Sequence, residues 1–460
     1  MKFPKLMIAG MSSGVGKTTL TMGILSALSE KMVVQSYKVG PDYIDPAYHT
    51  LITGRKCRNL DNYLLSNETV EQLFYKNSKD AQIGIIEGVM GLYDGAQVNS
   101  DIGSSASIAK VLKCPVVLVV DGSGIAKSVA AIVKGFIEFD PAVKLSGVIL
   151  NKVNSIKHYC LLKEAIEQFT TAKCYGYLPK NEIGTLKSRH LGLIPSCEIE
   201  DLKLKLECVS KAVEETVDLE GLLQLAYREA EEVTIEIPIY QTLFKDLHIG
   251  VAYDEAFNFY YEDNLDLFKE LGATIQFFSP IRDSRLPENI HFLYFGGGFP
   301  EMFAQELSDN HLMKKDIKEK LEMGMPYLAE CGGLMYLTKQ LIDFDEKIYR
   351  MVGWLDGTCS MTKRLQRFGY KTLTLKENCI LGEKDEVIPI HEFHHSKTEV
   401  LETNTVFGLK KMKEDKVIAA YECGYLKGKG VAGYPHFHFH GNPSMAINLL
   451  QAAQTYANNK

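Results

Sequence analysis

The segment Gly10-Met11-Ser12-Ser13-Gly14-Val15-Gly16-Lys17-Thr18-Thr19 constrains the fold more than any other part of the chain. It follows the apolar run Leu6 to Ala9 and precedes Leu20, Ile24, Leu25 and Leu28, which recur at helical spacing. Strand, glycine loop and helix in that order make a P-loop, where backbone N–H groups close on phosphates and the helix N-terminus adds a favourable field. Met11 stands five residues before Gly16 where the usual spacing has glycine, so Gly10 serves instead. Gly14 and Gly16 give the backbone its room, Lys17 neutralises the terminal phosphates, Thr18 holds Mg²⁺, and Thr19 lies beside it. ATP or GTP is the expected ligand; a glycine turn without nucleotide is the plainer alternative.

Further short apolar runs, Ile83 to Ile86, Val116 to Val120 and Val148 to Leu150, alternate with longer amphipathic stretches. They predict a parallel sheet covered by helices on both faces. A second alternating series starts at His248 to Ala252 and continues through Phe292 to Phe295 and Tyr327 to Ala329, which predicts a second α/β domain. At 460 residues the chain has room for about two or three compact units. We expect a nucleotide domain over 1–197, a charged helical connector over 198–246, a second domain over 247–445 and a terminal helix or tail over 446–460.

A net charge of -7 without a clustered basic surface argues against nucleic-acid binding. No apolar run reaches membrane-spanning length, and Met1 to Gly10 is too short for a signal peptide, so a cytoplasmic location without membrane contact is the expectation. The ten cysteines include no Cys-x-x-Cys pair, which removes zinc-ribbon and thioredoxin-like readings.

Two more segments of the first half carry chemistry. In Ile83 to Gly95, Glu87 ends a buried strand beside the P-loop, where Mg²⁺ is its natural partner and a hydrogen-bonded turn the alternative. Asp94 follows in the same segment. Lys38-Val39-Gly40-Pro41-Asp42-Tyr43-Ile44-Asp45 places Lys38, Asp42 and Asp45 after a short apolar run, either to bind Mg²⁺ and position an acceptor carboxylate or to form a Gly-Pro-Asp turn.

In the second half, Tyr327-Leu328-Ala329-Glu330-Cys331-Gly332-Gly333-Leu334 reads as strand, sharp turn and helix, with Cys331 as an exposed nucleophile whose pKa the helix N-terminus lowers. Gly332, together with Gly297 and Gly298 of the turn after Phe295, is a candidate oxyanion donor. Downstream, His436, His438 and His440 alternate and would share one face of a strand. A metal site is thereby raised, but no nearby carboxylate or cysteine completes it. His436 is the preferred base for Cys331 and His438 the second choice. A cysteine followed by a histidine about a hundred residues later resembles the order in class I glutamine amidotransferases.

Together with Gly147-Val148-Ile149-Leu150-Asn151, Arg189-His190-Leu191-Gly192-Leu193 and His391-Glu392-Phe393-His394, these motifs resemble the cobyrinate a,c-diamide synthase family over essentially the whole chain. The resemblance implies a dethiobiotin-synthetase-like P-loop domain, with Asn151 near the nucleobase, followed by a class I glutamine amidotransferase-like α/β domain. It also implies amidation of the a- and c-carboxylates of cobyrinate with ATP, Mg²⁺ and L-glutamine on the anaerobic branch of cobalamin synthesis. The family acting on nickel sirohydrochlorin, in coenzyme F430 synthesis, shares the motifs, so the modified tetrapyrrole stays open. Cobyric acid synthase differs, since its histidine sits in a Tyr-Leu-His-Gly setting.

Three departures bear on the reading. Partition and cell-division ATPases carry a lysine where this chain has Ser12, which counts against a regulatory ATPase. His438 replaces the glutamate that usually follows the base by two residues, so a Cys331–His436 dyad is expected. His395 stands where tyrosine would follow His394. Arg189 and Arg364 are the basic candidates for substrate contact, and the assembly is compatible with a homodimer.

Overall fold

The computed structural model describes residues 2–180, 188–189, 192–193, 202–401, 405–413 and 416–459. The chain divides into two compact units between Pro238 and Ile239. In the first, β1 (Lys5–Gly10), β2 (Val34–Val39), β3 (Arg58–Leu60), β4 (Ile83–Gly91), β5 (Val116–Asp121), β6 (Leu145–Val153) and β7 (Lys173–Pro179) form one sheet. Its order is β3-β2-β4-β1-β5-β6-β7, and every pairing is parallel. β1 is buried throughout, as a central strand covered on both faces must be. Helices α1 (Lys17–Ser29), α2 (Ile44–Thr53), α3 (Asn67–Asn77), α4 (Ser105–Val111), α5 (Ser128–Phe139) and α6 (Ile156–Phe169) make the crossovers. The short strands β8 (Ser188–Arg189) and β9 (Gly192–Leu193) pair antiparallel. His190 and Leu191, the side chain of Arg189 and the expected boundary at 197 lie outside the described residues.

Residues 202–238 of the expected connector belong to this unit, and 239–246 to the second. The connector helices α7 (Leu202–Thr216) and α8 (Leu219–Arg228), with Val217 between them, place Val213, Val217, Leu222 and Leu225 in the same core as Leu20, Ile24 and Leu28 of α1. Each such burial stabilises by roughly 1.5–3 kcal/mol. A methyl group at Gly23 of α1 would lie 2.6 Å from Val213, so the missing side chain is what lets the helices close.

The second unit carries β10 (His248–Ala252), α9 (Glu262–Glu270), β11 (Thr274–Phe278), β12 (Phe292–Phe295), α10 (Ala304–Asp309), α11 (His311–Glu322), β13 (Tyr327–Glu330) and α12 (Gly332–Leu337). The strands that follow are β14 (Thr338–Ile342), β15 (Ile348–Arg350), β16 (Leu355–Met361), β17 (Arg367–Leu375), β18 (Val387–His394), β19 (Ser396–Val400), β20 (Thr405–Lys413), β21 (Lys416–Lys427) and β22 (Gly430–Gly433). The main sheet has the order β11-β10-β12-β13-β22-β21-β20-β17-β18, parallel from β11 to β22 and antiparallel beyond. Strands β14, β15, β16 and β19 form a second sheet. The last helix, α13 (Ser444–Asn458), buries Met445, Leu449, Leu450 and Ala453, so of the helix or tail expected there the chain forms the helix, and it completes the domain core. Among the described residues no helix is long and apolar enough to cross a membrane.

Candidate active sites

At the C-terminal end of β1 the loop turns through Gly14 and Gly16, with φ of 74° and 94°, backbone that favours glycine. A side chain at Gly16 would stand 2.0 Å from the Asn151 amide nitrogen. Asn151, at the end of β6, donates from Nδ2 to the Val15 carbonyl at 2.8 Å and accepts at Oδ1 from the Lys152 N–H. Its side chain therefore clamps the P-loop. Lys17 opens α1 and is buried; desolvation, then the neighbouring Lys38, pull its pKa down. No acidic residue lies in the first turn of α1, which leaves the field of the helix end positive. Thr19 is half-buried in that turn.

Beside the loop is a buried polar cluster. Thr18 Oγ1 donates to Glu87 Oε1 at 2.6 Å and lies 3.4 Å from Asp45 Oδ2. The Lys38 ammonium donates to Asp45 and, at 2.9 Å, to Glu87. His49 Nε2 is 2.8 Å from Glu87 Oε2, and its Nδ1 is 3.5 Å from Cys57 Sγ. Burial opposes the charge on Glu87, but Lys38 and His49 hold its pKa well below the ordinary value. Burial likewise opposes a charged His49, yet Cys57 and Glu87 push it up to about 10. Burial, then Asp42, push Asp45 up.

Other expected residues do more local work. Asp42 Oδ1 accepts from the Ile44 N–H at 2.8 Å, so this carboxylate caps the turn into α2. Asp94 Oδ2 accepts from the Gly91 N–H at 2.9 Å and closes its own turn. His49 and Cys57 were missed in the sequence because nothing in their spacing signals that His49 meets both Cys57 and Glu87.

In the second unit Cys331 sits between β13 and α12 at φ 47° and ψ −98°. A side-chain-bearing residue in this region costs about 1–3 kcal/mol and is held there only by its surroundings. The Cys331 N–H donates to Gly433 O at 2.7 Å, and the Gly333 N–H to Gly296 O at 3.0 Å, which fixes the elbow from both sides. Gly298 N lies 3.2 Å from where a Gly332 side chain would start, and the Gly332 N–H serves the sulfur. Gly297 leaves space for His436: a methyl group there would stand 2.6 Å from the imidazole Cε1. The thiol pKa runs opposite to expectation. Burial, reinforced by Glu301, Cys359 and Glu392, pushes it up and outweighs the six-residue α12. Burial thus favours the thiol of Cys331 over its thiolate.

The three alternating histidines do not share a strand face. β22 ends at Gly433, Pro435 offers no ladder N–H, and residues 439–441 form a 3-10 turn. His436 pairs through its backbone with His391 of β18, its N–H donating to His391 O at 3.0 Å. His438 stacks on Tyr261 with centroids 4.7 Å apart, and His440 lies 6.2 Å from the Tyr240 ring. Among the described residues no group of three or more His, Cys, Asp or Glu could hold a metal. His436 also has Glu330 beside it, with Oε2 3.5 Å from Nδ1, so the arrangement goes beyond the expected dyad. The one sequence sign of this was an acid inside the apolar strand Tyr-Leu-Ala-Glu.

The His391-Glu392-Phe393-His394 motif braces this segment. Glu392 is fully buried and accepts from Lys371 Nζ at 2.8 Å and from the Tyr421 hydroxyl. His394 stacks on Tyr434 at 3.6 Å, and its Nδ1 is 2.8 Å from Ser396 O. His395 is buried with its ring beside Phe393, while Arg364 is exposed on the loop between β16 and β17.

Burial pulls His394 and His438 down to about 3. The unfolded chain takes up protons at these imidazoles below about 6.5, whereas the folded chain does so only near 3, so stability falls as the pH drops through that window. Urea titrations at pH 6.5 and 5 should show a loss of about 2 kcal/mol per histidine. A stability unchanged over that interval would contradict their burial as neutral rings.

Residues 6–194 match the model of the CobQ/CobB/MinD/ParA nucleotide binding domain, and residues 248–444 that of the CobB/CobQ-like glutamine amidotransferase domain. The chain is 45% identical over 452 residues to the cobyrinate a,c-diamide synthase of Listeria innocua, covering 98% of this chain and 99% of that protein. It is 47% identical over 435 residues to the protein of the same name from Caldanaerobacter subterraneus subsp. tengcongensis, covering 94% and 95%. A third such protein, from Limosilactobacillus reuteri, is 45% identical over 449 residues, covering 97% and 98%.

Proposed function

The chain belongs to the cobyrinate a,c-diamide synthase family, and we propose that its two sites divide one glutamine-dependent amidation between them. The observation that carries the reading is Cys331 held at φ 47° on a strand-to-helix elbow, in a chain that also has a formed P-loop. Attack of the Cys331 sulfur on the glutamine amide would pass the thiol proton to His436 and on to the leaving nitrogen. Ammonia and a thioester result, and water releases glutamate. Backbone N–H groups of Gly298 and Gly332 would meet the developing oxyanion, a reading supported by the approach of Gly298 N to Gly332.

In the first unit a ring carboxylate of cobyrinate takes the γ-phosphoryl group of ATP. The acyl phosphate then yields to ammonia, the new C–N bond displacing phosphate. Lys17 and the α1 N-terminus attract the triphosphate. Lys38 and Asp45, paired with each other beside Thr18, would orient the incoming carboxylate. A hydroxyl and two carboxylates converge at Thr18, Asp45 and Glu87, a hard-oxygen set that fits Mg²⁺. Thr18 and Glu87 would hold the ion, which when bound offsets phosphate charge. Asn151, whose amide already holds the P-loop, would lie near the nucleobase.

The test is mass spectrometry of products after cobyrinate or nickel sirohydrochlorin is offered with ATP and glutamine. Two amides on cobyrinate are expected; amides on the nickel ring alone would reassign the substrate.

A further inference from the structure

We propose that Glu330 is the positioning residue for His436, replacing from the neighbouring strand the acid that the chain lacks two residues after that histidine. This rests on Cys331 and His436 being the glutaminase pair. Glu330 ends β13, directly before the nucleophile, and is 2% exposed. The Tyr294 hydroxyl donates to Oε1 at 3.0 Å, Oε2 lies 3.5 Å from His436 Nδ1, and the Phe437 N–H also serves the carboxylate. Tyrosine and backbone therefore aim one oxygen at the imidazole.

No Lys or Arg is within ion-pair reach of Glu330 among the described residues. A carboxylate buried without a cation is unfavourable unless a nearby group takes up positive charge, and His436 is the group that does so in the reaction. With Nδ1–H turned toward Glu330, Nε2 is left to receive the thiol proton. The 3.5 Å separation leaves room to shorten as the imidazolium forms. His391 and His394 of β18 also sense the charge on His436, but burial keeps both neutral near pH 7. Glu330 is the acid that lies beside His436, while Tyr294 stays protonated.

The test is Glu330→Gln in the full chain, assayed with glutamine and separately with ammonium. We expect glutamine-driven turnover to fall about a hundredfold or more, as an amide there favours the wrong tautomer. KM for glutamine should move less than about threefold, and the acid limb of kcat/KM should shift down by about one pH unit as the imidazolium loses its partner. Ammonium-driven synthesis should stay unchanged, and Glu330→Asp should recover part of the loss. Three results would overturn the proposal: full glutamine activity, loss of both routes, or a slower glutamine route with an unmoved acid limb. Cys331→Ser assayed alongside separates the two levels. If it retains glutamine use, the elbow reading fails; if it loses that use while Glu330→Gln keeps it, only the role of Glu330 fails.

Discussion

Cys331→Ser is expected to lose glutamine-driven amidation by on the order of 10⁴-fold or more while keeping synthesis from added ammonium. A serine hydroxyl gives up its proton far less readily than a thiol, and burial of the elbow raises that cost further. The strained backbone persists, because the bonds to Gly433 and Gly296 that set it do not involve the sulfur. Parallel assays with the two nitrogen donors decide the matter. Loss of both routes, with melting unchanged, would mean that the sites are not separable in the way the chemistry requires.

Lys17→Ala should fail differently, since ammonium cannot rescue it. Both routes are expected to drop by on the order of 10²–10³-fold, the effect of removing one preorganised charge from a site of developing negative charge. Lys17 is buried with its ammonium near Glu87 and Asp45, so its removal leaves those acids less compensated and should also weaken nucleotide binding. Calorimetric titration with ATP and turnover with ammonium measure the two parts. Unimpaired ammonium-driven synthesis would remove the P-loop from the reaction.

What could be read beforehand was whatever lies in one stretch of chain. The P-loop is ten consecutive residues whose spacing carries its geometry, and Glu87 was visible as an acid at the end of an apolar strand. His49 was not, and Glu330 showed only as an acid in an apolar strand, since each meets a partner brought close only by the fold. The 198–246 segment looked like a charged connector because Lys205, Glu207 and Glu214 dominate its composition. Its apolar residues Val209, Val213 and Val217 recur every four positions and form a stripe that faces α1. For the histidines the period of two misled, as the chain leaves β22 before reaching them and each ring finds a different neighbour.

The hold of Asn151 on the Val15 carbonyl has a further consequence. A phosphate cradle already locked to a distant strand has little wandering left to surrender when its guest arrives. Affinity for the triphosphate can then come almost entirely from contacts, with hardly any of it spent on bringing the polypeptide to order.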